Sequence, residues 1–203
     1  MMIPMYSFAV TATTRVTNTW PWYLTRASGV VAAVLLVLLI ITGIAMYTGL
    51  EFTILEPIKA WTNHRTLGIA MLVAVAVHVG SLLFDKFISF NIWQVLLPFV
   101  SPYKRVHLFG ISVGSFGVML GIVAFYLVLA IMVTSRVRMM AKHKELWRLT
   151  HLLSYAVILV IFFHSIMIGS DLKNGLWRWL WIGANVIVLG FISYRLSRVG
   201  SLD

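Results

Sequence analysis

Five long apolar segments constrain the fold of this chain more than any other feature. They cover about residues 28–49, 63–84, 108–134, 151–170 and 177–197, and each reaches the roughly 20 residues that a helix needs to cross a bilayer. Hydrophobic residues make up 61% of the chain and charged residues 11%, whereas soluble domains contain about 45–50% and about 25%. We therefore expect one all-α integral membrane domain over residues 1–203, a bundle of five transmembrane helices.

Two segments outside these spans carry further expectations. Residues 1–25 lack the basic start and cleavage site of a signal peptide, so we expect an extramembrane lead-in before the first span. The stretch ISFNIWQVLLPF (88–99) is amphipathic, and Pro98 breaks it before it is long enough to cross the membrane. It predicts a sixth, short helix lying at the membrane interface.

Basic residues set the expected orientation. The net charge is +10, but the cations lie between apolar spans and do not alternate with exposed aromatics, so we expect membrane lipid and not nucleic acid as the partner. The connection 136–148 holds the densest basic cluster: Arg136, Arg138, Lys142, Lys144 and Arg148. Placing it in the cytoplasm puts the N-terminus outside and the C-terminus inside.

Histidines lie on two of the five spans. His64 and His78 are 14 residues apart on the second span, and His151 and His164 are 13 apart on the fourth. These steps correspond to about 21 and 20 Å of helix rise, so each span carries one histidine near each membrane surface. The two spans run in the same direction, which pairs His64 with His151 and His78 with His164.

Such pairs have a specific use in membranes. An imidazole in hydrocarbon needs a partner for its nitrogens, and two imidazoles facing each other across a bundle are what six-coordinate haem b requires. A single histidine is more simply explained by a packing hydrogen bond. The 13-residue step turns its two side chains about 140° apart, which predicts a bend, a π-turn or different ring rotamers in the fourth span.

The surroundings suit a large flat ligand. The glycines of the third span form a stripe that lets a macrocycle or a neighbouring helix approach closely, and ordinary helix packing explains them equally well. They are Gly110, Gly114, Gly117 and Gly121. Arg65 and Arg148 lie beside His64 and His151, where haem propionates need cations.

Two stretches resemble a known family. NHRTLGIAMLVAVAVHVGSLLFD (63–85) and ELWRLTHLLSYAVILVIFFHSIMIGSD (145–171) are similar to the ferric reductase-like transmembrane domain. That superfamily includes NADPH oxidases, ferric reductases and the haem-binding membrane subunit of bacterial methionine sulfoxide reductase systems. WYLTRASG (22–29) resembles its bacterial members, and the likeness extends over about residues 22–198.

The resemblance implies that the four paired histidines are the axial ligands of two b haems, and that the chain lies in a bacterial inner membrane. The family commonly has six spans, and the first is not seen here. The sequence has no glycine-rich nucleotide motif, so flavin and NAD(P)H would act only through a partner. We expect an oxidoreductase component without catalytic residues of its own. A cytoplasmic flavoprotein or quinol would be its donor, and a ferric chelate, oxygen, a quinone or a partner protein its acceptor.

Two other classes stay open. A quinone-linked cytochrome b subunit or haem-bearing dehydrogenase anchor also carries histidine pairs at similar spacing, although no PEWY-like quinol motif is present. A proton or metal-ion transporter could use the histidines as a relay. The absence of carboxylates inside the predicted spans weakens that interpretation.

Overall fold

A computed structural model describes residues 5–50, 53, 55–104, 106–108, 111–113, 115–136 and 144–199. Six helices and one short hairpin follow one another along the chain. They are α1 (Met5–Thr48), α2 (Pro57–Leu82), α3 (Ile92–Leu96), β1 (Val106–Leu108), β2 (Ile111–Val113), α4 (Phe116–Arg136), α5 (Lys144–Ile168) and α6 (Leu176–Val199).

Five of these helices are long and apolar enough to cross a membrane, as the sequence predicts. Their spanning parts are Thr19–Thr48, Pro57–Leu82, Phe116–Arg136, Glu145–Ile168 and Leu176–Ser197. Few of their side chains are buried inside the bundle, and large apolar side chains cover its outside. Such a surface needs lipid around it. The protein is therefore an integral membrane protein.

The first helix is longer than the first predicted span. It begins at Met5 and continues through Pro21 to Thr48, so residues 5–25 of the predicted lead-in are helical and continuous with the span. Its apolar part begins at Thr19. Gly49 follows the helix with a φ of +77°, a left-handed conformation that glycine adopts without strain and that commonly ends a helix.

The third span was predicted to begin at residue 108, and this is wrong. An antiparallel hairpin pairs Val106 with Val113 and Leu108 with Ile111, and α4 begins only at Phe116. Ser115 caps α4, because its hydroxyl accepts a hydrogen bond from the backbone N–H of Val118 at 3.2 Å. Apolarity alone does not distinguish a short β-branched hairpin from the first turns of a membrane helix.

The short helix predicted between the second and third spans is present as α3. A reciprocal capping box starts it: Asn91 accepts from the backbone N–H of Gln94 at 3.0 Å, and the Gln94 side chain accepts from the backbone N–H of Asn91 at 3.1 Å. Its position at the interface stays a prediction.

Two antiparallel helix pairs position the histidines. α1 packs along α2, α4 packs along α5, and α6 lies against α1 and α5. The buried core between them includes Leu36, Ile40, Ile44, Met71, Val128, Val157, Ile158 and Val188. Because α2 carries His64 and His78 and α5 carries His151 and His164, each helix pair brings one histidine to each end of the bundle.

Candidate functional site

The structure brings His64 and His151 together at one end of the bundle, and we name them the 64/151 pair. Their ring centroids are 6.2 Å apart and the ring planes meet at 48°. Two metal–imidazole bonds of about 2 Å each, plus the half-width of each ring, place two centroids roughly 6 Å apart when both rings face one metal ion. The spacing of this pair is therefore suited to two axial ligands.

The two members of the 64/151 pair are held differently. The hydroxyl of Thr42 donates to the Leu38 carbonyl at 2.9 Å, so its oxygen can accept from Nδ1–H of His64 at 3.1 Å. His151 stacks on Trp147 with 5.1 Å between ring centroids. Its buried Nδ1 has no hydrogen-bond partner among the described residues. Within this pair, only His64 thus has a hydrogen-bond partner for Nδ1 among the described residues.

His78 and His164 lie at the other end, and we name them the 78/164 pair. Nδ1 of His78 is 2.8 Å from the Thr25 carbonyl, and Nδ1 of His164 is 2.8 Å from the Gly117 carbonyl. A carbonyl oxygen can only accept, so both Nδ1 atoms donate and both Nε2 atoms keep their lone pair.

Glycines of the neighbouring helices make room for three of the four rings. A Cβ added at Gly121 would lie 2.5 Å from Cε1 of His164, one at Gly29 would lie 2.9 Å from Nδ1 of His78, and one at Gly43 would lie 3.3 Å from Cε1 of His64. Gly29 and Gly43 are separated by 14 residues, as are His64 and His78 on the antiparallel helix α2. These helices therefore place a glycine opposite each α2 histidine.

The two helix pairs repeat one arrangement at the 78/164 end. In each pair a glycine contacts the histidine ring, and the backbone carbonyl four residues before that glycine accepts the Nδ1–H of the histidine. For His78 these residues are Gly29 and Thr25, and for His164 they are Gly121 and Gly117. A metal-binding histidine usually has its other nitrogen oriented in this way. The repeat therefore gives His78 and His164 equivalent surroundings.

The 13 residues that separate His151 from His164 contain no π-turn, because α5 has α-helical hydrogen bonding throughout, from Lys144 to Ile168. His151 faces His64 and Trp147, whereas His164 lies against Gly117 and Gly121 of α4. The two rings thus lie on different faces of one regular helix. Of the three explanations offered by the spacing, the π-turn is wrong, and a bend and different ring rotamers stay predictions.

Other predicted site residues fall into two groups. Arg65 and Arg148 are exposed and make no hydrogen bond or ion pair with the described part of the chain, so their role toward propionates stays a prediction. In the predicted glycine stripe, Gly117 and Gly121 face α5. Gly110 and Gly114 lie outside the described residues, as do Arg138 and Lys142 of the basic connection.

Two arginines that the sequence did not single out flank the two ends. Arg26 forms a bidentate ion pair with Asp171, with Nε 2.8 Å from Oδ2, and lies 4.1 Å over the Trp22 ring. Arg195 hydrogen-bonds the Tyr155 hydroxyl and lies 4.2 Å over the Tyr47 ring. Both contacts join segments that are distant in sequence, and no local sequence motif predicts them.

The residues present fit a bis-histidine haem. The 64/151 spacing, the free Nε2 atoms of the 78/164 pair and the glycines against the rings are the features that such a ligand set needs. Within the described ranges, no group of three or more His, Cys, Asp or Glu side chains gathers to hold a metal ion. The candidate metal ligands among the described residues are therefore the two histidine pairs.

The sequence model of a family described as ferric reductase like transmembrane component matches residues 28–163. The chain belongs to the ferric reductase-like transmembrane family. The match includes His64, His78 and His151 and ends one residue before His164. No curated protein and no solved structure matches the chain.

Family membership confirms the resemblance found in the two histidine-bearing stretches. It indicates membrane electron transfer with redox cofactors and a redox partner. Gly29 and Gly43, which the sequence analysis overlooked, lie inside the matched region. Their 14-residue spacing was a usable signal, because it repeats that of His64 and His78. Arg195 and all of α6 lie outside the matched region.

Proposed function

We propose that this protein is a di-haem b electron-transfer protein that moves electrons across the membrane. The observation that carries the proposal is the ring contact of the 64/151 pair, together with His78 and His164 further along the same helices α2 and α5, where the Nδ1 atom of each donates to a backbone carbonyl. Ferric reductase-like family membership supports the redox role. A histidine relay for protons or metal ions is disfavoured by the absence of carboxylates inside the predicted spans.

His64 and His151 would hold one haem, and His78 and His164 the other. Haem supplies reversible one-electron chemistry at its iron when it is bound. The chain's own residues set the ligand geometry: the Thr25 and Gly117 carbonyls orient the 78/164 rings, and the Thr42 hydroxyl orients His64. The apolar helices around both pairs would exclude water from the ligands.

We further propose the direction and the partners. The basic connection 136–148 faces the cytoplasm in this proposal, as the positive-inside rule favours. The 64/151 pair then lies on the cytoplasmic side and the 78/164 pair on the outer side. An acidic flavoprotein could dock on the connection, or quinol could donate from the membrane. The acceptor outside would be a ferric chelate, oxygen, a quinone or a partner protein.

Single histidine substitutions test the ligand assignment. His78→Ala or His164→Ala should lower the haem content from two to one per chain. His64→Ala or His151→Ala should remove the other haem, leaving a different spectrum behind. His143→Ala, outside the four paired histidines, is the matched control and should keep both haems. If all four ligand variants retained two haems with unchanged spectra, the assignment would be wrong.

A further inference from the structure

The connection between α2 and α4 has a long uncharged middle. Residues 87–103 contain no Lys, Arg, Asp or Glu, and Lys86 and Lys104 stand at the two ends. Lysine side chains keep their ammonium groups in water or at lipid headgroups. An uncharged segment with a lysine at each end is typical of one embedded in a membrane. Because α3 has only five residues, this segment does not cross the membrane as a helix.

The entry and the exit of this segment lie close together. Phe90, just before α3, contacts Tyr103 with 6.0 Å between the ring centroids. The Ser101 carbonyl accepts a hydrogen bond from the backbone N–H of Ser115 at 2.9 Å, one residue before α4 begins. The segment therefore starts and finishes at the 78/164 end of the bundle, where α4 begins.

The end of α3 lies deeper along α4. The hydroxyl of Tyr126 donates to the Leu96 carbonyl at 3.0 Å. Tyr126 comes ten residues after Phe116, which corresponds to about 15 Å along the helix. Helix side chains lean toward the N-terminus of their helix, so the Leu96 carbonyl lies about one to two turns inside the start of α4. α3 thus descends along α4.

At that depth the surroundings are hydrocarbon. The 21 residues of α4 are about 31 Å long, which matches a hydrocarbon core of roughly 30 Å. The carbonyls at the C-terminal end of a helix have no partner within the helix, and hydrocarbon offers no water. The Tyr126 hydroxyl supplies a partner for the Leu96 carbonyl, and its own proton gains an acceptor on a side chain that is 46% exposed.

The chain turns back directly after α3. Leu97 is extended, Pro98 has no backbone N–H that would need a partner, and Phe99 has a φ of +65°. Such a φ is uncommon for a bulky residue and marks a sharp turn that its surroundings fix. We name residues 97–101 the return limb. Five residues reach about 17 Å when extended, which is long enough to bring the chain back to the start of α4.

Apolar side chains cover the outside of α3 and of the return limb. The exposed ones are Ile92, Trp93, Leu97, Phe99 and Val100. The polar side chains of Asn91 and Gln94 are bonded to backbone N–H groups in the capping box. A surface of this kind is suited to lipid acyl chains, which offer no hydrogen bonds.

We propose that residues 87–103 form a re-entrant segment, which enters the membrane at the 78/164 end, turns at Pro98 and returns to the same side. Its partner is the acyl chains of that leaflet, and the Tyr126 hydroxyl holds it at depth. This places the tip of the segment below the interface at which its amphipathic pattern puts α3. The inference does not depend on haem, because it concerns only the contacts of α3 and the return limb.

Spin labels measure the depth of the segment, because the chain has no cysteine of its own. The labelled full-length variants Phe87→Cys, Trp93→Cys, Leu97→Cys and Phe116→Cys replace exposed side chains and are reconstituted into phosphatidylcholine vesicles. Oxygen concentrates in hydrocarbon and a nickel chelate stays in water, so power saturation with each gives the depth. We expect Leu97→Cys to be the deepest, Trp93→Cys intermediate, and Phe87→Cys level with Phe116→Cys at the start of α4.

Three results would overturn the re-entrant segment. Equal depths at all four sites would mean that α3 lies flat at the interface. Free access of the nickel chelate to Leu97→Cys would place the segment in water. Protection of Leu97→Cys from both oxygen and nickel would mean that protein, such as a second copy of the chain, covers it instead of lipid.

Tyr126→Phe tests the hydrogen bond that holds the segment. Without the hydroxyl, the Leu96 carbonyl loses its partner in hydrocarbon, so the label in Leu97→Cys should move about one helical turn, roughly 5 Å, toward the interface. Tyr23→Phe, at an exposed tyrosine of α1, is the control and should leave the depth unchanged. An unchanged depth in Tyr126→Phe, or equal shifts in both variants, would overturn the role of the hydroxyl.

Discussion

At the scale of single residues, the hydrogen bond at Nδ1 decides what a membrane histidine can do with Nε2. For His78 and His164 the acceptor is a backbone carbonyl, which fixes the tautomer that binds a metal ion. A histidine with only a packing role would be expected to satisfy both nitrogens, and neither Nε2 has a hydrogen bond with the described residues. This favours ligands over packing residues.

The glycine beside His164 makes a direct test possible. In Gly121→Ala the new Cβ would lie 2.5 Å from the ring and 2.6 Å from Nδ1, so the ring must move away from the Gly117 carbonyl. Overpacking of this kind costs about 1–3 kcal/mol. The affinity of the 78/164 pair for haem should therefore fall roughly 5- to 150-fold. The measurement is the haem content remaining after competition with apomyoglobin.

Gly80→Ala is the matched control, because Gly80 lies two residues after His78 and nothing is within 4 Å of a Cβ added there. It should retain both haems like the parent. Equal haem loss in both variants would point to a general effect on the helices. Unchanged retention in Gly121→Ala would mean that this glycine does not support the ligand.

The four histidines could be predicted from the sequence, and their supports only in part. Spacing and helix direction were sufficient to pair His64 with His151. Gly121 belonged to a stripe that packing explained equally well, and Gly43 was overlooked. Whether a glycine faces a ring depends on which helix is its neighbour and in which register, and neither is encoded in a local pattern. The contacts of Arg195 with Tyr47 and Tyr155 could not be predicted for the same reason.

At the scale of whole elements, apolar length predicted the number of spans but not every boundary. All five spanning helices were expected, and their ends agree within two residues, but four of the five starts differ by six to nine residues. At α4 the start was predicted too early, because the hairpin precedes Phe116. Hairpin pairing and the cap at Ser115 give hydrogen-bond partners to the backbone groups there. Hydropathy measures only how apolar a segment is, so it predicts neither of these hydrogen-bonding arrangements.

The orientation of the helices can be tested because the chain has no cysteine. Ser170 lies between α5 and α6 at the 78/164 end, and Ser197 lies near the end of α6 at the opposite end; both are exposed. A membrane-impermeant maleimide should label Ser170→Cys in intact spheroplasts. It should label Ser197→Cys only after the membrane is permeabilised.

The parent protein is the control for this experiment and should not react under either condition. Labelling in the reverse pattern would place the basic connection 136–148 outside the cell. That result would contradict the proposed direction of electron transfer. It would leave the pairing of the histidines unaffected, because the pairing depends on contacts inside the bundle.

At the scale of the whole molecule, the two antiparallel helix pairs give His78 and His164 equivalent surroundings, and α6 makes the two ends different. α1 with α2 and α4 with α5 repeat the glycine–carbonyl arrangement around His78 and His164. α6 lies against α1 and α5 and brings Arg195 to one end only. The two ends of the bundle thus differ in the contacts that α6 makes.

The most direct test of the central claim is the haem content and spectrum of the purified intact protein. Haem extracted as the pyridine haemochrome and counted against protein should give two b-type haems per chain. The reduced-minus-oxidised spectrum should show both as low-spin, since each pair supplies two nitrogen ligands. A content of one haem or none per chain, or a mainly high-spin five-coordinate species, would contradict the account.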